Sequence, residues 1–327
     1  MRYLIKKKNK TGIILKSLLS VSVTLAVSVL VLSFHGDVIV KSAYSLMVPG
    51  TDTVYNRSDA VDDNFESEFL NFLSYEKKEN TKQTAQTNSE AIAVNLSAIS
   101  GKYKNYDGTS VINNTDYSVN DLLYAEYDKP EIDKNKPAVL IYHTHTSEEY
   151  FGGGTVVDVG NEMVKEFENS GYKTIHITDN FDKEQFSGAY SRSIKAVEKA
   201  LSENPDIKLV FDVHRDAITA ANGDTYRPVT KINGDTSAQV MFVCGTDEKG
   251  LSHPNWRENF KFALDVSRNA SKKYGALSRP VNLRGDRFNT HTRKHSFLIE
   301  VGSSANTLDE AKIAAKYTVR AIIDTIN

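Results

Sequence analysis

Cysteine is almost missing from this chain: Cys244 is the single one in 327 residues. That count excludes an intramolecular disulfide framework, a cysteine-rich zinc module and a CxxC redox pair, so any metal site has to be built from histidine and carboxylate. Excess charge is missing too. Forty Lys and Arg against 42 Asp and Glu leave a formal net charge of −2, which argues against a chain that coats nucleic acid by bulk positive charge. No internal repeat is visible. Apolar residues are not scarce, at 40%, so a sizeable core can form, and at roughly 150 residues per domain the length allows about two units.

The near-neutral average hides a basic tip. Arg2, Lys6, Lys7, Lys8 and Lys10 fall in the first ten positions with no acid among them. From Ile13 to Phe34 the chain then reads IILKSLLSVSVTLAVSVLVLSF, with Lys16 its one charge. A helix of that length crosses about 30 Å of hydrocarbon. The positive-inside rule leaves residues 1–12 in the cytoplasm and sends everything after Phe34 across the membrane, so 13–34 is expected to be a transmembrane signal anchor. A cleaved signal peptide is the competing reading; its apolar stretch is shorter, and no Ala-x-Ala motif follows Phe34 closely. A single free thiol suits an exported domain that uses no disulfide. Cys244, inside the run AQVMFVCGT, reads as a small buried apolar residue.

Residues 35–94 divide into an amphipathic helix and a linker. Phe65, Phe69, Phe72 and Leu73 recur at helical spacing, and the stripe they form can dock on a partner or on the later domain. Residues 76–90, EKKENTKQTAQTNSE, hold no aromatic or branched aliphatic residue and cannot bury enough surface to order themselves. The catalytic domain is expected over 95–327, with Asn95 to Pro137 a polar lead-in carrying turn signals at Asp107-Gly108 and Asn113-Asn114. Beyond it, strand-like runs (AVLIYHTHT, TIHIT, Lys208–Val213, AQVMFVCG, SFLIEVGS) alternate with helical windows. Those windows are Val159 to Phe167, Ile194 to Leu201, Asn255 to Lys273, and a last one opened by a Thr307/Glu310 capping box. This order predicts an α/β three-layer sandwich with a largely parallel central sheet, whose ligands sit at the carboxyl ends of strands.

Three of those strands end in chemistry: His143-Thr144-His145-Thr146-Ser147-Glu148-Glu149, Asp212-Val213-His214-Arg215-Asp216, and Ile299-Glu300-Val301-Gly302. A catalytic zinc takes three ligands from His and Asp/Glu and leaves a fourth position open. His145 and Glu148, in His-x-x-Glu spacing, together with the distant His214, make that set. His143 is expected to share a strand face with His145 by alternation. His145 is favoured as the ligand because it lies nearer the loop and Glu148, which leaves His143 behind the ligands or against substrate. Glu300 lies inside an apolar strand, where an unpaired carboxylate is costly or has its pKa driven up. It is the expected proton shuttle, with a salt bridge to Arg215 or Arg293 as the structural alternative. His35, His176 and His253 read as structural or surface residues, and His291 and His295 as loop residues near substrate.

The segments IYHTHTSEEY, FDVHRDA and FLIEVGSSANT resemble the stage II sporulation protein P family, peptidoglycan hydrolases of engulfment in endospore-forming bacteria. The resemblance covers about residues 95–327, and the anchor and linker match the family layout. It extends more distantly to zinc-dependent N-acetylmuramoyl-L-alanine amidases, where it implies an amidase-like fold, His145 and His214 as zinc ligands and Glu300 as the catalytic acid/base. One departure concerns the metal-binding Glu: here the turn is Thr/Ser-rich and Glu148 follows at once, so Glu149, Asp158 and Glu162 stay open as ligands. The resemblance also implies hydrolysis of the amide joining N-acetylmuramic acid to L-alanine, an added endopeptidase activity and residence in the mother cell's engulfing membrane, while the site itself leads Arg215 to be expected beside the oxyanion. Its implied partners are the sporulation lytic transglycosylase called protein D and the membrane protein called protein M. Two rivals remain: a zinc metallopeptidase or carboxypeptidase of the cell wall, and a catalytically silent membrane-anchored scaffold.

Overall fold

The computed structural model describes residues 91–96, 104–106, 109–183, 187–219 and 224–327. The basic tip, the 13–34 anchor, the Phe65/Phe69/Phe72/Leu73 stripe and the 76–90 linker lie outside the described residues. Among those described, no helix is long and apolar enough to cross a membrane.

The strands are β1 (Ile92–Val94), β2 (Lys104–Tyr106), β3 (Thr109–Asn114), β4 (Pro137–Tyr142), β5 (Lys173–His176), β6 (Leu209–Asp216), β7 (Tyr226–Ile232), β8 (Asp235–Ala238), β9 (Val240–Gly245), β10 (Val281–Arg284) and β11 (Ser296–Ser303). The helices are α1 (Val156–Asn169), α2 (Ala189–Glu203), α3 (Trp256–Tyr274) and α4 (Leu308–Ile326). An eight-stranded sheet runs in the order β2-β3-β10-β9-β11-β6-β4-β5, and β1-β7-β8 form a small second sheet. The first strand, Ile92–Val94, thus begins three residues before the expected domain start at 95.

Most neighbours in the large sheet are parallel, as the alternation of strands and helices requires, but they fall into two opposed blocks. β5, β4, β6 and β11 run one way. β9, β10 and β3 run the other way, and the blocks meet where β9 pairs antiparallel with β11. The reason lies after β6: instead of a crossover helix the chain makes the β7–β8 hairpin and enters β9 reversed, which antiparallel neighbours permit and parallel ones do not. The expected strand AQVMFVCG is divided at Gln239. The side chain of Gln239 accepts from Leu96 N at 2.7 Å and donates to Ala276 O at 2.7 Å.

Alternation along each strand assigns the two faces. Val139, Ile141, Phe211, Val213, Phe297, Ile299 and Val301 turn to one face and join a core with Val159, Met163 and Phe167 of α1, Phe260 and Ala263 of α3, and Ala311 and Ala315 of α4. Leu140, Tyr142 and Val210 turn to the other, where Val197 and Leu201 of α2 cover them. The sandwich is therefore three layers, thick on one side and thin on the other. Two of its helices start at capping boxes: Thr307 Oγ1 accepts from Glu310 N and Glu310 Oε2 accepts from Thr307 N at α4, and Thr155 with Asp158 makes a second box at α1. Cys244 is fully buried on the thick face, where burial pushes its thiol pKa up.

Candidate active site

The site forms on the thin face, at the carboxyl ends of three adjacent strands. In β6 the period of two that sends Phe211 and Val213 to the thick core sends Asp212 and His214 the other way; in β11 it does the same for Leu298 and Glu300. His214 and Glu300 are direct partners in the β6/β11 register. β4 supplies the third arm beyond its end, where the chain turns at residues 144–147 and Glu148 N donates to His145 O at 3.3 Å. That turn brings the His145 ring to 5.5 Å from His214, centroid to centroid.

His145, Glu148 and His214 therefore converge from two strand ends. Glu148 Oε2 lies 3.3 Å from His214 Nδ1 and accepts from Arg215 N at 3.0 Å. On its other side His214 Nε2 is 2.9 Å from Asp212 Oδ1, a close ion-pair contact. Burial opposes a charge on His214, yet the carboxylates of Asp212 and Glu148 together outweigh it and hold its pKa well above the ordinary value. His145 differs: burial, then the charge of His214, lower its pKa, and Asp182 Oδ2 stands 3.8 Å from its Nδ1. A loop tie fixes this arm, since the Tyr150 hydroxyl donates to Val301 O at 2.9 Å.

Glu300 Oε2 is buried with no hydrogen-bond partner. Burial, reinforced by the nearby Asp216 and Glu148 and opposed by His214 and Arg279, raises its pKa from 4.5 to about 8. Just beyond it the register of β11 shifts at a bulge between Glu300 and Ser303. Gly302 sits there at φ 70°, where a Cβ would come within 2.7 Å of Asn306 Oδ1 and 3.0 Å of the Ala238 Cβ, so the bulge that ends the strand beside Glu300 requires glycine.

The remaining residues go elsewhere. His143 does not share a face with His145, because pairing in β4 stops at Tyr142 and the following turn rotates His145 to the front. The His143 ring lies fully buried behind the sheet, with Nδ1 2.7 Å from Val213 O and Nε2 2.8 Å from His176 Nε2. Glu149 offers the site only its carbonyl, which accepts from Arg215 Nε at 2.9 Å. Asp158 is used in the α1 cap and Glu162 pairs with Lys165 on the helix surface. Neither Arg215 nor Arg293 bonds Glu300: Arg293 donates to Pro205 O, and the arginine whose charge reaches Glu300, Arg279, is bound to Asp216 at 2.7 Å. His253 is buried on Thr290 and His295 on the Asp128 carbonyl, while the His291 ring stacks edge-on with His253.

The residues missed from sequence are Asp212, Asp182, Tyr190 and Arg279. Asp212 carried the signal that exposed Glu300, a carboxylate within an apolar strand. Asp182 and Tyr190, whose ring meets His145 edge-on at 5.7 Å, lie in or next to a loop with no pattern to mark them.

The donor chemistry fits zinc: two imidazoles and a carboxylate brought together at His145, Glu148 and His214, with His145 held in the neutral form that metals bind. As they stand the three are not arrayed around one point. Glu148 and His214 face each other as an ion pair, and among the described residues no group of three or more His, Cys, Asp or Glu is spaced to hold a metal ion.

A family model described as stage II sporulation protein P matches residues 39–323. A protein named Stage II sporulation protein P from Bacillus subtilis (strain 168) is 29% identical over 217 residues, covering 58% of this chain and 52% of its own length. The chain thus spans about half the length of the curated relative it matches. Among solved structures, the N-acetylmuramoyl-L-alanine amidase AmiC2 of Nostoc punctiforme is similar at 12% identity and a TM-score of 0.39, over 59% of this chain and 98% of that one. The CwlD amidase from Clostridioides difficile, solved with the GerS lipoprotein, is similar at 11% identity and a TM-score of 0.38, over 58% and 96%.

Proposed function

The chain belongs to the stage II sporulation protein P family, and we propose that it is a zinc-dependent peptidoglycan hydrolase of sporulation that cleaves the amide between N-acetylmuramic acid and the L-alanine of the stem peptide. The observation that carries this reading is the juxtaposition of His145, Glu148 and His214 with Glu300, a carboxyl whose pKa stands at about 8. In this reading His145, Glu148 and His214 hold the zinc, which when bound supplies polarisation of the amide carbonyl and acidification of water.

The chain's own residues do the rest. Glu300 takes a proton from the attacking water and returns it to the leaving amine, a task suited to a carboxyl whose pKa lies near the working pH. Asp212 holds the Nε2 side of the His214 ring. Arg215, fixed by its bonds to Glu148 and Glu149, places positive charge beside the oxygen that becomes the oxyanion. The domain works outside the membrane to which residues 13–34 tether it, the engulfing membrane of the mother cell, with protein D and protein M as partners and stem-peptide crosslinks as a second substrate.

Product analysis on purified sacculi tests the reading. Release of free stem peptides bearing N-terminal alanine is the expected result. Shortened stems still attached to glycan would replace it with the metallopeptidase reading, and absence of both zinc and turnover would replace it with the scaffold.

A further inference from the structure

A file of buried polar groups runs from His214 to the segment between β10 and β11. Asp212 Oδ1 stands 2.9 Å from His214 Nε2 and accepts from Thr144 N at 2.9 Å. Asp212 Oδ2 accepts from Thr144 Oγ1 at 2.7 Å. Thr144 Oγ1 lies 3.0 Å from Ser193 Oγ on α2, and Ser193 Oγ accepts from Asn289 Nδ2 at 3.0 Å. Thr144 and Ser193 are fully buried, and Asn289 and Asp212 nearly so.

The direction of each link follows from what each group can do. A carboxylate only accepts, so the Thr144 hydroxyl proton is committed to Asp212 and Thr144 has to accept from Ser193. An amide nitrogen only donates, so Ser193 accepts from Asn289, whose second hydrogen goes to Tyr190 O at 3.0 Å. Tyr190 O also lies 3.3 Å from Ser193 Oγ, a longer and competing acceptor. All three donors therefore point towards Asp212, and links aligned this way polarise one another. A second observation marks the far end. Phe288, next to Asn289, holds φ 50°, a conformation that bulky residues avoid and that the surroundings have to enforce.

We infer that Ser193 and Asn289 are positioning residues for His214. Through Thr144 they orient and polarise Asp212, which fixes the imidazole with Nε2 turned to Asp212 and Nδ1 presented to Glu148. The file ties the site to an element of neither strand that carries the ligands: Asn289 comes from the loop after β10, in the opposed block of the sheet. This inference rests on the proposed reading of His214 as a metal ligand.

The test uses the purified full chain and four variants: Ser193→Ala, Asn289→Asp, which keeps the shape but removes the donor, Thr144→Val, which keeps the volume but removes the hydroxyl, and Thr144→Ser, which keeps the hydroxyl. Two quantities are read: zinc affinity by chelator competition, and the low-field ring N–H proton of His214 by NMR of the metal-free protein, assigned by its loss in His214→Gln. The first three variants are expected to weaken zinc binding about tenfold, to lower kcat without raising KM, and to lose or broaden the ring proton. Thr144→Ser is expected to match the wild type in all of these. Should Asn289→Asp fail to fold, Ser193→Ala, which removes a single oxygen, decides by itself. Zinc affinity within about twofold and an unchanged ring proton in the chain-breaking variants would overturn the inference. If the wild type binds no zinc while the ring proton still depends on Ser193 and Asn289, the zinc reading falls and the file stands; if neither holds, both fall.

Discussion

His143 and His176 meet at 2.8 Å behind the sheet, pressed against α1, whereas His145 and His214 meet in front of it among carboxylates. In the rear pair burial by itself lowers His176 to about 4, and burial lowers His143 to about 3 against the Val213 carbonyl and Asp212, which pull the other way. In the front pair, burial is opposed by Asp212, Glu148 and Asp182. A single residue, Thr144, separates His143 from His145, yet one ring packs behind the sheet and the other faces the carboxylates. Burial lowers both His143 and His145, so what sets the front pair apart is the three carboxylates gathered around it, the pattern expected of a functional site.

The largest effect that would break this contrast is at Glu300. Glu300→Gln should lower turnover about a thousandfold while zinc content, read by elemental analysis, stays at the wild-type level. Retained turnover would remove Glu300 from the chemistry and leave the front pair without its acid. Next, His145→Ala and His214→Ala should each abolish hydrolysis and weaken zinc binding, with His143→Ala keeping its metal. Near-normal turnover in His145→Ala together with its loss in His143→Ala would exchange front and rear.

Gly160 sharpens the rear half of the comparison. A Cβ there would stand 2.6 Å from Nε2 of both His143 and His176, so Gly160→Ala should destabilise the fold by about 1–3 kcal/mol in chemical denaturation and leave zinc affinity alone. The smallest effects are on pH dependence, and the two regions have opposite signs. Because the rear histidines titrate lower when folded, the stability they contribute is complete above their ordinary pKa of 6.5 and is lost as pH falls towards 4 and 3. His176→Gln should flatten that acid limb. Glu300, raised from 4.5 to about 8, costs nothing below its unfolded pKa and takes stability away as pH rises through 8. Glu300→Gln should therefore stabilise the metal-free protein on the alkaline side by about 1–3 kcal/mol and leave its acid limb unchanged.

Much of the fold was readable because local rules decided it. The Thr307/Glu310 cap, the apolar stripes of α1 and α2, and the strands that carry His214 and Glu300 are each set by residues within a few positions of one another. The reversal of β9 was not readable, since it depends on a hairpin at β7–β8 whose strands show weaker alternation and pair with the distant β1. In the site, His145, Glu148, His214 and Glu300 stood out by residue type and position at strand ends. Asp212 could have been found by the same argument. Asp182, Tyr190, Ser193 and Asn289 could not, because a buried loop acid, an aromatic edge or a serine on a helix has no meaning until it is known what lies across from it.

By itself, the sequence determined the alternation of strands and helices, the residue types available for a metal, and the confinement of that chemistry to His and Glu by the near-absence of cysteine. These follow from composition and from periodicities that each segment carries alone. Only the tertiary structure decided which histidine turns forward, that Glu148 and not Glu149 directs its carboxylate at His214, that Glu300 stands without Arg215 or Arg293, and that a loop from the opposed block reaches His214. Those outcomes depend on where strands stop, which way they run and what is buried beside them, and such properties exist only once segments far apart in the chain share one low-dielectric interior.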